Sequence, residues 1–214
     1  MSEIKNNIDQ TDLTFFTNED GHSLLSRFKS TLKDTQLFDV LVGYFRASGF
    51  YQLYESLEPV EKIRILVGLS VDRDSYDIMQ YHQEIGAIDF ESHQRTKKKY
   101  RENLKSEIET TQENDNKLEI GIRKFIEFLQ ADCLDPEMDK AYNGNGKKLE
   151  IRAYPSKNIH AKVYISRYDD HISDVTEGSV ITGSSNFSKS GLEGNREFNV
   201  ELKDPRDLKF ALDQ

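Results

Sequence analysis

The chain contains no tryptophan, only four prolines and a single cysteine among its 214 residues. A lone Cys133 forms no disulfide within the chain and supplies no multi-thiolate zinc site, so a disulfide scaffold is excluded. A buried or incidental thiol in a reducing compartment is expected. There is no run of about 18 apolar residues of the kind that spans a bilayer, and the opening MSEIKNNIDQ lacks the basic-then-apolar order of a signal peptide. The expectation is therefore a cytoplasmic protein without membrane insertion or export. No repeat of fixed period is visible. A Walker-type GxxxxGK[ST] is missing too: GNGK at 144–147 lacks the upstream glycine and the following Ser or Thr, so these residues contain no recognisable ATPase motor.

Positive charge is also in short supply. Lys and Arg number 29 against 38 Asp and Glu, for a net charge of -9. That balance disfavours general adhesion to nucleic acid, although a local basic cleft in an acidic protein still binds phosphates.

What is present suits a soluble globular fold: 36% hydrophobic residues, including 12 Phe and 10 Tyr. The length fits one substantial α/β core with room for a helical insertion, and 1–214 is expected to form a single domain.

Residues 11–35 read as a short extended entry and then a helix with Leu24, Leu25, Phe28 and Leu32 at helical spacing. FDVLVGYF (38–45), SGFYQLYESL (48–57) and KIRILVGL (62–69) read as strand, helix and strand, which implies a parallel pair. Between about 92 and 116 the text turns to charges of both signs with few apolar residues, a solvated helix or a mobile insertion. The basic run Lys97, Lys98, Lys99 with Arg101 and Lys105 could grip a nucleic-acid backbone, but the glutamates close behind it favour a solvated face.

LEIGIRKFIEFLQ (118–130) restores an amphipathic helix before a loop rich in Asp, Pro, Asn and Gly. Strands follow at LEIRAYP (149–155), HAKVYISR (160–167), SVITGSSN (179–186) and REFNVEL (196–202). The closing DPRDLKFALDQ carries no stop signal, and a larger protein extending beyond residue 214 is the expectation.

The chemistry-bearing residues gather in this second half. His160 and Lys162, two apart in a strand, project from one face while Ala161 and Val163 point the other way, and a histidine and a lysine aimed together make an anion site. By itself the spacing is also what a water-facing strand shows by chance. About twenty residues on, Gly183, Ser184, Ser185 and Asn186 end an apolar strand, and such a small, hydroxyl- and amide-bearing end can donate hydrogen bonds to phosphate oxygens. Alone, it is equally a plain turn.

Together, HAKVYI followed by VITGSSNFSKSGL resembles the phospholipase D superfamily, whose signature reads H-x-K-x4-D and then G-S-x-N. NIHAKVYI, VITGSSNFSKSGL and NREFNVEL, with VGYFRASGFYQLYESL and KIRILVGL nearer the front, are similar to the single-motif phospholipase-D-like domains at the front of bacterial DEAD- and Snf-type helicases and of some restriction enzymes. The resemblance runs from about Thr17 to Leu202. One position departs: the acidic residue of H-x-K-x4-D falls on Arg167, with Asp169 and Asp170 two and three residues too late.

The resemblance implies a mixed, mainly parallel sheet flanked by helices on both faces. It also implies a metal-independent phosphodiesterase, most simply a DNA endonuclease, that needs no cofactor. One His attacks phosphorus to give a phosphohistidine while a second protonates the leaving oxygen and then activates water. Lys162 would hold nonbridging oxygens as a fixed cation, with Ser184 and Asn186 as neutral donors. Glu197 would accept from a ring nitrogen of His160 and fix its tautomer, unless it is simply an exposed strand glutamate.

His22, His82, His93 and His171 lie in no second H-x-K, so the other half-site is expected from an identical chain across a two-fold axis. The expected partners are this second copy, DNA and a helicase or ATPase region. Two other readings stay open: chemistry on phospholipid headgroups with the same His and Lys, and a catalytically inactive DNA-binding and dimerisation module. Tyr44 and Phe45 could line the cleft, but aromatic residues at strand ends are more often core.

Overall fold

The computed structural model describes residues 14–18, 21–71, 112–153, 159–169 and 176–213. The chain runs β1 (Phe15–Thr17), α1 (Leu24–Thr31), β2 (Thr35–Phe45), α2 (Ala47–Leu57), β3 (Lys62–Val71), α3 (Gln112–Gln130), α4 (Pro136–Ala141), β4 (Leu149–Ala153), β5 (Lys162–Tyr168), β6 (Gly178–Gly183), β7 (Phe198–Leu202) and α5 (Pro205–Leu212). Most of the charged stretch and all of its basic run lie outside the described residues; its last positions open α3.

The strands form one seven-stranded sheet in the order β1-β7-β6-β5-β2-β3-β4. It is mixed, as expected, and the β2–α2–β3 unit is parallel. The balance differs from the expectation of a mainly parallel sheet. Only β2–β3 and β3–β4 are parallel, while β1–β7, β7–β6, β6–β5 and β5–β2 are antiparallel. Parallel neighbours need a crossover, usually a helix. That crossover exists between β2 and β3, whereas no described helix other than a single π-helical turn separates β5, β6 and β7.

Sequence alternation decides which side each strand shows to which helices. Phe38, Val40 and Val42 of β2, Ile63, Ile65 and Val67 of β3, and Leu149 and Ile151 of β4 face one way, into a single core with α1, α2 and α3. Each helix offers a stripe to it: Leu24, Leu25 and Phe28 from α1; Phe50, Leu53 and Leu57 from α2; Ile122, Phe125 and Ile126 from α3. Phe28 meets Phe38 and Tyr164 edge-on, with ring centroids 5.4 and 5.0 Å apart, a favoured aromatic geometry.

Helix boundaries follow their caps. Ser23 accepts from the Ser26 N–H at the start of α1, and Asp135 and Asp204, each followed by proline, cap α4 and α5. On the opposite face α5 lays Leu208 on Ile165 and Val180, and α4 sits over the polar side of β3 through Lys62 and Arg64. Helices thus cover both faces, the first far more thickly.

Candidate active site

Strand direction places every candidate at one end of the sheet. β2 and β3 finish there, β5 starts there antiparallel to β2, β6 ends there and β7 begins there. Val42 pairs with Lys162, Val163 with Thr182, and Gly183 with Asn199, so His160, Lys162, Ser184 and Glu197 are brought to neighbouring strand ends.

His160 lies just ahead of β5 rather than inside it, and its side chain is exposed. Two glycines fix its backbone. The Gly43 N–H donates to the Ala161 carbonyl at 2.9 Å. A Cβ on Gly43 would stand 2.6 Å from the Ile159 oxygen and 3.1 Å from the His160 Cα, and one on Gly68 would stand 2.7 Å from the same oxygen. Segment 159–161 therefore crosses the ends of β2 and β3 at a distance only glycine permits. Neither glycine was singled out by sequence, yet the signal existed: each is a lone glycine in an apolar strand run.

Lys162 is only 8% exposed. Its Nζ stands 3.3 Å from Nε2 and 3.4 Å from Nδ1 of His160, and 3.4 Å from the His160 carbonyl oxygen. The Thr182 hydroxyl donates to the Lys162 carbonyl at 2.9 Å, tying β5 to β6 at this level. A desolvated ammonium facing an exposed imidazole forms a compact pair, both of whose polar tips are within reach of one bound anion.

Ser184 is locked to the start of β7. Its N–H donates to the Phe198 carbonyl at 3.1 Å and its Oγ accepts from the Phe198 N–H at 3.0 Å. The Ser184 hydroxyl donates to Glu197 Oε2, and the other Glu197 oxygen accepts from Asn195 Nδ2 at 3.3 Å. Within the chain, then, Glu197 holds Ser184 and not the His160 ring as expected. The cause is register: Glu197 ends beside the β6 terminus, whereas the partner of the His160 ring is the ammonium two residues on in its own strand.

The GSSN turn is anchored from below. The Tyr164 hydroxyl donates to the Ser185 carbonyl at 2.8 Å, and burial pushes its phenol pKa far up, so it remains a neutral donor. Phe187 stacks on Phe45 with centroids 5.4 Å apart, and the Arg46 N–H donates to the Phe187 carbonyl at 3.0 Å. Phe45 is thus core, as expected, and the Tyr44 hydroxyl accepts from Arg46 Nε.

Above this anchor some polar capacity is left over. Among the described residues, Ser185 Oγ, Asn186 Oδ1 and both polar atoms of Asn199 are buried without a protein partner. Asn199 was missed by the sequence reading. A polar residue in an alternating strand is expected to face water, but it is 1% exposed. Unpaired buried groups are costly in a native fold, and four such atoms lie at the GSSN turn and the start of β7.

A polar strand end thus holds an exposed histidine, a desolvated lysine and a serine-asparagine turn on an α/β sheet, an arrangement chemically able to bind an anion. The family described as cardiolipin synthase, PLD-like domain matches residues 61–213, and the chain belongs to this phospholipase-D-like family. Similar solved structures include Nuc, a phospholipase D family member from Salmonella typhimurium, at 16% identity and a TM-score of 0.42 over 93% of this chain and 88% of that one. NucT from Helicobacter pylori shows 14% identity and a TM-score of 0.41 over 92% and 88%. Yeast tyrosyl-DNA phosphodiesterase shows 12% and 0.40 over 89% of this chain, which spans only 32% of the yeast protein. No curated protein matches the chain.

Arg167, at the departed motif position, is nowhere near the histidine. It pairs with Leu37 toward the far end of β5, and its guanidinium lies 4.6 Å from the centre of the Tyr142 ring. Cys133 is buried and free, as expected, with burial pushing its thiol pKa up. His22 is half-buried before α1, and His82, His93 and His171 lie outside the described residues. Among the described residues no helix is long and apolar enough to cross a membrane.

Proposed function

We propose that two copies of this chain assemble one metal-independent phosphodiesterase site that cleaves DNA. The observation that carries the reading is the His160–Lys162 pair, an exposed imidazole with a buried ammonium 3.3 Å from it, beside the Ser184–Asn186 turn.

A ring nitrogen of His160 attacks phosphorus, forming a P–N bond as the P–O bond to the leaving sugar breaks. His160 of the second copy donates its proton to the departing oxygen. It then takes a proton from water, whose oxygen displaces the histidine and leaves a phosphate monoester. The two Lys162 ammonium groups hold the nonbridging oxygens, whose charge grows in the transition state, and Ser184 and the Asn186 amide donate to them as neutral partners. Glu197 acts through Ser184: in the unliganded chain its carboxylate accepts the hydrogen bond of the serine hydroxyl, which turns to a nonbridging oxygen when the phosphate arrives. Delivery of the strand is assigned to a helicase or restriction partner, in line with the family resemblance of the motifs.

The test is cleavage of single- and double-stranded DNA in EDTA, comparing the chain with His160→Ala and recording mass in solution. The expected result is chelator-resistant cleavage by a dimer that falls by on the order of 10^4-fold in the variant. A dimer that binds DNA without cutting it would favour the inactive module. Turnover of phosphatidylcholine in place of DNA would favour headgroup chemistry, and a strictly monomeric chain with full activity would remove the shared site.

A further inference from the structure

Strand β7 is built inside out. Its FNVEL alternation would bury Phe198, Val200 and Leu202 and expose Asn199 and Glu201 in an ordinary half-buried strand. The reverse holds at its site end: Asn199 and Glu201 are 1% and 4% exposed, while Phe198 is 58% exposed. Glu201 has a reason to be inside, since its Oε2 meets the buried Arg27 guanidinium at 3.1 Å. Phe198 has no matching reason within the fold to be outside, and leaving a phenyl ring in water forgoes about 2 kcal/mol. Beside it Phe15 of the edge strand β1 is 61% exposed, with its ring centroid 5.7 Å from that of Phe198 and the planes tilted by 32°.

The register sets both rings on the α5 face, opposite the Lys162 side chain, and the pair meets the site at the strand end. The Phe198 backbone makes two of the hydrogen bonds that fix Ser184, so the ring projects from a residue that positions a proposed phosphate donor. A nucleotide places its base one sugar away from its phosphate, and base–aromatic stacking is the sequence-tolerant way to hold it. The alternative occupant, a second copy of the chain, asks for much more surface. Two rings exposed to about 60% offer on the order of 250 Å², well short of the roughly 800 Å² per partner of a stable interface.

We infer that Phe198 and Phe15 form a stacking subsite for a nucleobase flanking the phosphate held at Ser184 and Lys162, which makes a strand with unpaired bases the preferred substrate. This rests on the reading of the site as a DNA phosphodiesterase.

The experiment measures binding, by fluorescence anisotropy, and cleavage of a labelled oligothymidylate and of a fully abasic oligomer of equal length, which carries the same phosphates. The full chain is compared with Phe198→Ala and with a Phe15→Leu, Phe198→Leu double variant, with solution mass recorded throughout. The unchanged protein should bind the oligothymidylate about tenfold more tightly than the abasic strand, the size of one lost stack. Phe198→Ala should erase that preference. The leucines, which keep apolar surface but have no π face, should reduce it at unchanged mass.

A preference that survives both variants, or no binding to either oligomer, overturns the inference. So does a fall to monomer in the alanine variant that the leucines prevent, which would assign the patch to a copy-to-copy contact. Base-dependent binding without cleavage would leave the subsite standing and remove the nuclease reading instead.

Discussion

The two ends of the sheet treat buried polar groups in opposite ways. At the end where β3 begins, Lys62 is 1% exposed, yet its ammonium meets Asp139 at 2.5 Å, Glu150 at 3.2 Å, Asn145 at 3.3 Å and the Lys147 carbonyl at 2.8 Å. Asp139 in turn accepts from the Gly146 N–H at 2.7 Å, and Arg64 grips Asp39 with two bonds of 2.6 Å. At the end where β3 finishes, Asn186, Asn199 and Ser185 keep buried atoms unpaired and Lys162 faces a histidine. The first arrangement pairs the charges of Lys62, Asp139, Arg64 and Asp39 and fastens the 143–147 loop to the sheet, although Glu61 Oε2 just ahead of β3 is buried without a partner. The second leaves hydrogen-bonding capacity unused within the chain.

If the paired end serves stability, breaking it should cost stability and spare chemistry. Asp139→Asn leaves the Lys62 ammonium buried with half its compensation, which for a buried pair costs about 3 kcal/mol. Chemical denaturation should show this as a lower midpoint, with any turnover well below the melting range unchanged. Burial alone would raise the Asp139 carboxyl, but the Lys62 ammonium and the Gly146 N–H outweigh it and hold the pKa below the usual carboxylate range. Its contribution is therefore complete above the unfolded value of about 3.9 and is lost as pH falls through the lower folded value. The variant's stability should vary less with pH in that acid window than the unchanged protein's. A variant as stable as its parent, or one that loses activity at full stability, breaks the comparison.

Gly43→Ala probes the other end. Its new Cβ would press the Ile159 oxygen and the His160 Cα, and those backbone atoms move only by carrying the imidazole with them. A displacement near 1 Å at a reacting group costs about 100-fold in rate, while the overpacking costs roughly 1 to 3 kcal/mol. DNA cleavage together with thermal melting reads both. Loss of rate in proportion to unfolding, with none left over, would place Gly43 among residues that serve folding alone.

How much of this was legible beforehand depends on how local the signal is. Alternation and strand termination, both short-range rules, set His160 with Lys162 on one strand face and Ser184 with Asn186 at a strand end, but it is their joint resemblance to the phospholipase D signature that singles them out. The core stripes of α1, α2 and α3 were legible from short-range periodicity. The antiparallel majority was not, since pairing direction depends on which strands meet and no residue states it. Nor was the partner of Glu197, which is decided by register across β6 and β7. Asn199 and Phe198 defeated the alternation rule outright, because β7 places its polar residues inward at the site.

Arg167 offers the finest test of the comparison, because by motif it belongs to the site and by position it belongs to the opposite end. It lies about 17 Å along β5 from Lys162, at a rise near 3.3 Å per residue, and shares the Tyr142 ring with Arg64, whose guanidinium is 5.5 Å from the ring centre. A half-buried cation over a ring is worth about 0.5 to 1 kcal/mol. Arg167→Ala should therefore lower stability by that much and leave cleavage within about twofold, since nothing at that distance touches the reacting phosphate. A large fall in rate at nearly unchanged stability would mean that the far end of β5 sets the position of His160 through the strand itself. The acidic residue usual at this motif position would then have a role in the chemistry that Arg167 must be replacing.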